Sequence, residues 1–421
     1  TTDNRQQTTD NRQQTTDNKI MNTIFKNIKG DRALWAVVAL LALFSFLPVY
    51  SASSNLAYLY GDGDTLKFLV KHASHLFLGF AIIYGVHRMP YHYFKGLSII
   101  MLPIVLFFLI YTLAQGTTIG GANASRWMRI PFVGIKFQTS TLAGVVLMIY
   151  VARYLSKIKD KVVTFKETVL PLWVPVFIIV GLILPANFST TAIIFSMVLM
   201  LCFLGGYPWK YLLMIVGSGI IGLLLFIVIG RAIPGPIQVK IQTWENRVSN
   251  YWSGDEKSEN SKGNYQIERA KIAIASGGVV GVGAGKSKMK NLLPQSASDF
   301  IYAIIVEEYG LVGGLSLLFL YLLLLFRIVI VAHKADTIFG KLLAIGVGLP
   351  IVFQALINMA VAVELFPVTG QTLPLISSGG TSIWMTCLAI GIVLSVSKKR
   401  EEILEQKEKE ENPLAVLSDA L

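Results

Sequence analysis

Charge is scarce in this sequence. Of its 421 residues only 15% are Asp, Glu, Lys or Arg, whereas water-soluble domains carry about a quarter. That shortage excludes an ordinary soluble domain. Cysteine is nearly missing as well: Cys202 and Cys387 both lie inside apolar runs. They offer no disulfide framework and no zinc spacing, and are read as small apolar fillers. The five histidines, His72, His75, His87, His92 and His333, are scattered on both sides of the predicted spans. His72 and His75 share a helical face, but two ligands without a carboxylate partner make no metal set. Nucleotide-binding signatures are also lacking. Gly285-Lys286-Ser287 suggests a phosphate loop, yet Val280 stands where its first glycine is required.

Apolar residues are abundant: 53% of the chain is hydrophobic and the mean hydropathy is +0.59. A helix needs about 20 mostly apolar residues to cross a bilayer. Ten such cores are predicted, at 33–51, 66–86, 97–113, 142–154, 169–184, 190–204, 211–229, 312–332, 342–363 and 383–396. The expected fold is therefore all-α and polytopic, with about ten transmembrane helices and a large extracytoplasmic loop, 231–300, between the seventh and eighth. The second core carries Lys67, Lys71, His72 and His75 in its first half, and is expected to begin as an interfacial segment. The net charge of +12 does not imply nucleic acid, because basic residues beside spans set orientation and meet anionic lipid heads. Lys19, Lys26, Lys29 and Arg32 precede the first span, Lys157, Lys159, Lys161 and Lys166 follow the fourth, and Lys398, Lys399 and Arg400 follow the last. An even span count puts all of them on one side, which the positive-inside rule makes cytoplasmic. Both termini are then inside, and 115–138, 185–189, 231–300 and 364–380 face outward.

The first twenty residues stand apart. TTDNRQQ occurs at positions 1 and 8, and TTDN returns at 15. Such a polar repeat buries no core and is expected to be disordered. It is read as an upstream extension, with the natural start at Met21 and the first span serving as its own insertion signal. The membrane domain is expected over 21–400, and 401–421 reads as a charged tail with a short solvated helix.

The chemistry concentrates in the outward segments. Arg126, Arg129 and Lys136 are cations on the disfavoured side. They either anchor lipid heads beside Trp127 or capture an anionic substrate such as a lipid-linked pyrophosphate, for which guanidinium geometry suits. Asp299 precedes Phe300–Tyr302 at the mouth of the eighth span. Partial desolvation there favours a general base; the plainer reading is an N-cap of that helix. Glu307 and Glu308 are expected to pair with basic residues on neighbouring helices. Lys286, Lys288 and Lys290 beside flexible glycines are candidates to wrap a substrate. The segment 364–382, rich in Pro, Gly, Ser and Thr, reads as re-entrant. Ser377, Ser378, Gly379 and Gly380 open the last helix as an anion site or as tight packing through small residues.

These stretches together resemble the SEDS family (shape, elongation, division and sporulation) of bacterial cell-wall proteins. NASRWMRI with KFQTS resembles its first outer motif. YQIERAKIAIASGG, GVGAG and LPQSASDFIYAIIVEEYGLVGG resemble its loop motif, and FPVTGQTLPLISSGGTS its closing motif. The resemblance runs from about Lys29 to Arg400 and is closer to the division branch than to the elongation branch. It implies polymerisation of peptidoglycan glycan strands from lipid II at the outer face of the bacterial cytoplasmic membrane, with release of undecaprenyl pyrophosphate. The implied partners are a class B penicillin-binding transpeptidase, other division proteins and membrane lipid. No obligatory cofactor is implied, and a divalent cation is left open. By motif, Asp299 would be the base on the acceptor's 4-hydroxyl, and Arg126, Arg129 and Lys136 would neutralise the leaving pyrophosphate. Gln266 and Lys286 join as substrate-binding candidates, with Ser377, Gly379 and Gly380 shaping the cavity floor. Four places depart from the family pattern: Thr139-Ser140-Thr141 for Pro-Ser-Glu, Ala186-Asn187 after Pro185, Thr369 for a lysine, and Gln295 for a glutamate. Charged contacts there are not carried over. A lipid II flippase and a different polyprenyl-linked glycan polymerase or ligase are the alternatives. Polar motifs on one side favour the polymerase over the flippase, and the closing motif favours it over the other glycan enzymes.

Overall fold

The structure, a computed structural model, describes residues 29–411 apart from 61–63, 116–117, 120–121, 124–126, 130–135, 160, 162, 234, 254–261 and 294. The polar repeat, Met21, Arg126 and the last ten residues lie outside the described residues. In chain order the helices are α1 (Arg32–Tyr60), α2 (Thr65–Arg88), α3 (Tyr93–Gln115), α4 (Thr139–Ile158), α5 (Phe165–Ile183) and α6 (Phe188–Leu204). After them come α7 (Trp209–Ala232), α8 (Pro236–Ser253), α9 (Lys262–Gly277), α10 (Ile301–Lys334), α11 (Ile338–Ala362) and α12 (Thr381–Glu411). Two small antiparallel hairpins fill the α3–α4 link: β1 (Thr118–Ile119) with β2 (Ala122–Asn123), and β3 (Trp127–Arg129) with β4 (Lys136–Gln138).

Among the described residues nine helices are long and apolar enough to span a bilayer. The apolar α6, with 17 residues, sits at the lower limit. Counting it, ten helices cross, as the hydropathy pattern predicts, and each predicted core matches one of them to within a residue at its far end, apart from the late start predicted for the eighth. The chain alternates between two ends. One carries short turns at 89–92, 205–208 and 335–337; the other carries the α3–α4 link, α8, α9 and the segment 363–380.

Local chemistry explains the element starts. Asp64 caps α2 by accepting from the amides of Leu66 at 3.0 Å and Lys67 at 3.3 Å. Asn187 and Thr337 do the same for α6 and α11. With such a cap, α2 runs unbroken from Thr65 and has no separate interfacial piece. His72 and His75 do not act together. His72 bonds Ser45 of α1 at 2.8 Å, while His75 stacks on Trp384 of α12 at 5.5 Å. Three residues subtend about 300°, which suffices to aim them at different neighbours.

The bundle centre is α11 and α12, whose apolar windows are 61% and 67% buried; α7, at 6%, lies almost wholly on the outside. Small residues let the central helices close in. A methyl at Gly79 of α2 would meet Cys387 Sγ, and one at Gly391 of α12 would meet Val86 and the Ile83 backbone. Cys387 and Cys202 are free and buried, as their apolar settings suggest.

The eighth span departs from expectation. Helix α10 begins at Ile301, not 312, and bends at Gly310, where φ is 67° and ψ −169°. A bend with positive φ frees backbone groups that the helix ladder no longer satisfies. The glycine loop after α9 takes them up. Val282 and Gly283 donate to the Glu307 and Glu308 carbonyls at 3.0 Å each, and Leu311 and Val312 donate to the Gly278 and Val279 carbonyls at 2.9 and 3.2 Å. Side chains at Gly277, Gly281 or Gly310 would land on this backbone pairing. Gly277, Gly281 and Gly310 are therefore packing residues.

Glu307 and Glu308 are buried and take loop donors instead of basic partners on helices. Glu307 accepts from Ser287 Oγ, from the Lys288 amide at 2.9 Å and from the Met289 amide at 3.3 Å. Glu308 accepts from Ser51 Oγ and from the Ser287 amide at 3.4 Å. The amides that a phosphate loop would present to a nucleotide are occupied by carboxylates.

Gly281→Ala should therefore unseat the loop. A Cβ there meets the Glu308 carbonyl, and the residue's φ of 90° disfavours any side chain. The combined cost is about 3 kcal/mol. A thermal melt in detergent should show a clear drop in midpoint. An unchanged midpoint would mean that the loop does not brace α10.

Candidate functional site

The irregular segment 363–380 lies between the ends of α11 and α12. Gln354 and Asn358, eight and four residues before the end of α11 at Ala362, bond residues of this segment, so at 1.5 Å per residue it dips about 12 Å below the level that α11 reaches. The segment is re-entrant, as its composition predicts, and it must satisfy its own polar groups.

Helix α11 supplies much of that satisfaction. Asn358 Nδ2 donates to the carbonyls of Asp299 and Gln371, both at 2.7 Å. Gln354 Nε2 donates to the Thr372 carbonyl at 2.8 Å. Tyr321 of α10 donates to the Pro374 carbonyl. Gln371 reaches Thr190 of α6 at 2.8 Å, and Lys271 of α9 forms an ion pair with Glu364.

The same bonds tie this segment to the turn that carries Asp299. The Ser378 amide donates to the Ala297 carbonyl at 2.9 Å. Ser377 Oγ donates to the Ser298 carbonyl at 2.6 Å and accepts from the Leu373 amide at 2.8 Å. The turn is anchored beneath by Phe300, which packs in a second apolar cluster with Ala52, Ala297, Ala303 and Val361. Asp299 itself is half-buried. The N-cap position of α10 is held by Phe300, without a side-chain cap bond; the turn at 295–300 displaces Asp299 from the capping geometry.

A cation faces Asp299. Arg247 of α8 donates to the Val368 carbonyl at 3.1 Å. Burial lowers its guanidinium pKa from the ordinary value, and the Asp299 charge acts against that shift. Helix α8 is positioned by Trp244, which packs on Phe188 at 5.2 Å and Phe226 at 6.3 Å. Ile241 seats against Gly230.

Three described non-glycine residues have positive φ: Gln295, Glu364 and Leu375. All three lie in the two segments joined around Asp299. Such backbone costs roughly 1–3 kcal/mol per residue and gathers where a geometry is over-determined by its surroundings.

The other sequence-predicted residues divide. Arg129 and Lys136 are cross-strand partners in β3–β4, whose Gln138 amide reaches Thr381 Oγ1 at 3.4 Å. That hairpin thus ends at the start of α12. Gly379 and Gly380 lie there too, half-buried, with Ser378 exposed. Ser377 is buried and its hydroxyl serves the backbone pairing. Gln266 is half-buried on α9 and Lys286 is exposed on the glycine loop. Lys290 turns its ammonium to Ser51 at 3.3 Å and the Gly285 carbonyl at 2.7 Å. Sequence reasoning missed Arg247, Gln354 and Asn358. The last two had a visible signal: amide side chains four residues apart in an apolar span.

A family profile described as "Cell cycle protein", covering FtsW, RodA and SpoVE, matches residues 31–402. The probable peptidoglycan glycosyltransferase FtsW of Hydrogenovibrio crunogenus is 33% identical over 378 residues, covering 88% of this chain and 93% of its own. Its counterpart in Geobacter sulfurreducens is 32% identical over 374 residues, covering 88% and 95%. Among solved structures, a chain from work on how a peptidoglycan synthase complex coordinates polymerisation and crosslinking superposes with a TM-score of 0.68. It is 25% identical and covers 88% of this chain and 98% of its own. The rod shape determining protein RodA of Thermus thermophilus superposes at 0.62, with 25% identity and coverage of 88% and 97%.

Asn358→Leu removes both donors to Asp299 and Gln371 while keeping the volume. Each orphaned carbonyl costs about 1–3 kcal/mol. Hydrogen exchange at 371–378 should quicken and the melting midpoint should fall. Unchanged exchange would show that α11 does not hold the segment.

Proposed function

This chain belongs to the cell cycle protein family of FtsW, RodA and SpoVE, and from that premise we propose how its site works. It is a polytopic membrane glycosyltransferase of peptidoglycan, and its substrate is read as lipid II, polymerised at the outer face of the cytoplasmic membrane during septal wall synthesis. Asp299 is the base. It takes the proton from the acceptor sugar's 4-hydroxyl while that oxygen bonds to the donor's anomeric carbon. The bond from that carbon to the diphosphate breaks, and its electron pair leaves with undecaprenyl diphosphate. Arg126, Arg129 and Lys136 neutralise the leaving charge. Gln266 and Lys286 contact the sugar chain on its way out, and Gly379 and Gly380 form the floor.

One observation carries this reading: a half-buried carboxylate faces Arg247 and has its backbone pinned by Asn358 to the re-entrant segment. The pinned turn keeps the carboxylate in place, as a general base must be held. No obligatory cofactor enters the scheme. The proposed partners are a class B penicillin-binding transpeptidase, which would crosslink the strands, and other division proteins. The basic short-turn end faces the cytoplasm.

Asp299→Asn retains size and removes the proton acceptor. Polymer yield from lipid II should fall about 100- to 10,000-fold with insertion and melting midpoint unchanged. Equal yields from equal amounts of folded protein would remove Asp299 from the mechanism.

Orientation has its own test. A cysteine replacing the exposed Thr243 of α8 should react with an impermeant maleimide added outside intact cells, and one replacing Lys159 should not. The reverse pattern would place the site on the wrong side for lipid-linked wall synthesis.

A further inference from the structure

Helices α1 and α10 meet along a seam. On α1, Phe44 and Leu40 lie seven and eleven residues before Ser51, which sets the three within about 40° of one another on one face. Contacts confirm the face: Ser51 Oγ donates to Glu308, and Phe44 packs on Tyr309 at 5.7 Å. Below that pair the seam opens into a groove of about 500 Å³, lined by Leu40 and Phe44 of α1 and by Leu315, Ser316, Phe319 and Leu320 of α10. Leu40, Leu315 and Phe319 are exposed, so the groove faces lipid. The membrane part of α1 is Arg32–Ser54. Ser51 is therefore close to the loop-bearing end, and Phe44 and Leu40 lie about 10 and 16 Å deeper.

A basic turn is fixed at the top of this seam. The chain from Gly277 to Leu293 carries Lys286, Lys288 and Lys290 and no acidic residue. It is clamped to α10 through Glu307 and Glu308, and to α1 through Lys290, whose ammonium reaches Ser51 at 3.3 Å. Both carboxylates are buried and already taken up by loop amides and serine hydroxyls. An ammonium has three donors; Lys290 spends two, on Ser51 and the Gly285 carbonyl, and keeps one. Lys288 is exposed, while Lys286 folds back over Gly283. Among the described residues neither Lys288 nor Lys290 forms an ion pair. The same loop presents Val279 and Val280, 66% and 79% exposed, beside the exposed Leu311 and Val312 of α10. Valines so bare are costly in water and favoured in hydrocarbon. The loop thus rests against the bilayer, with its lysines at the level of the lipid heads.

We propose that the seam binds one anionic glycerophospholipid, with an acyl chain in the α1–α10 groove and the phosphate held by Lys288 and Lys290. A zwitterionic lipid brings its own cation to the lysines, whereas an anionic one brings only the charge they lack. The groove takes no residue from α8, α11 or the segment 363–380, the elements around Asp299. Its occupant is accordingly a structural lipid and not a reactant. Bound there, the lipid ties the glycine loop to the seam and supports the brace on the first turns of α10. Such binding is independent of the glycosyltransferase reading.

The test uses the full chain in neutral detergent, with dioleoyl phosphatidylglycerol titrated against dioleoyl phosphatidylcholine and retention read by native mass spectrometry. The parent should retain phosphatidylglycerol in preference, and should melt at a higher temperature in its presence. Lys288→Gln/Lys290→Gln should weaken that binding about 30-fold and abolish the thermal gain. Its midpoint in detergent alone should be unchanged, because Gln can still donate to Ser51. If that midpoint falls, Lys288→Gln by itself decides, with about a fivefold loss expected. Lys288→Arg/Lys290→Arg should bind as the parent does. Leu315→Trp, which fills the groove, should lose the lipid with both lysines intact. Leu224→Trp, on the exposed face of α7, should retain it. Equal retention of the two lipids by the parent would overturn the proposal, as would unchanged binding in the glutamine or Leu315→Trp variants. An equal loss in Leu224→Trp would do the same, since the lipid would then belong to an annular shell only. So would displacement by equimolar undecaprenyl phosphate, which would give the groove to polyprenyl chains.

Discussion

A peptide group that leaves the helical ladder at membrane depth must find its partner inside the protein, because hydrocarbon offers none. The site depends on that constraint. The segment 363–380 dips below the level of α11, and its carbonyls at Gln371, Thr372 and Pro374 are met by Asn358, Gln354 and Tyr321. These donors explain why amides and a tyrosine hydroxyl sit in otherwise apolar helices. Each such bond also fixes the segment relative to a rigid helix.

The bend in α10 obeys the same constraint by a different route. Backbone groups released at Gly310 are paired by backbone groups of the glycine loop, and only glycine allows the two to approach so closely. Glu307 and Glu308 then hold the loop through its next amides. The glycine-rich segment is thus spent on bracing a helix. The brace keeps the first turns of α10 rigid, and Asp299 stands directly before them.

Asp299 therefore lies between two irregular segments that are bonded to each other and to three helices. A reacting group held this way loses little freedom when substrate arrives, which is how preorganised sites gain rate. Among the described non-glycine residues, positive φ occurs only at Gln295, Glu364 and Leu375, in these segments.

Much of this was legible in the residues. The ten crossings follow from apolar run length, because a bilayer sets a fixed span and leaves few alternatives. Asp299 and the re-entrant composition of 364–382 pointed to one end of the molecule, and the structure bonds those two segments to each other. The start of α10, the capping of that helix, the parting of His72 from His75 and the work of the glycine loop were not legible. Each depends on which neighbour a face meets, and periodicity does not say so. The amino-acid sequence by itself determined the membrane architecture and the residues available for chemistry, since hydropathy and side-chain type act locally. Only the tertiary structure decided that Arg247 of α8 bonds the Val368 carbonyl, that Asn358 ties the Asp299 turn to the re-entrant segment, and that His75 stacks on Trp384 near the start of α12. Those pairings join residues far apart in the chain, and helix packing alone brings them together.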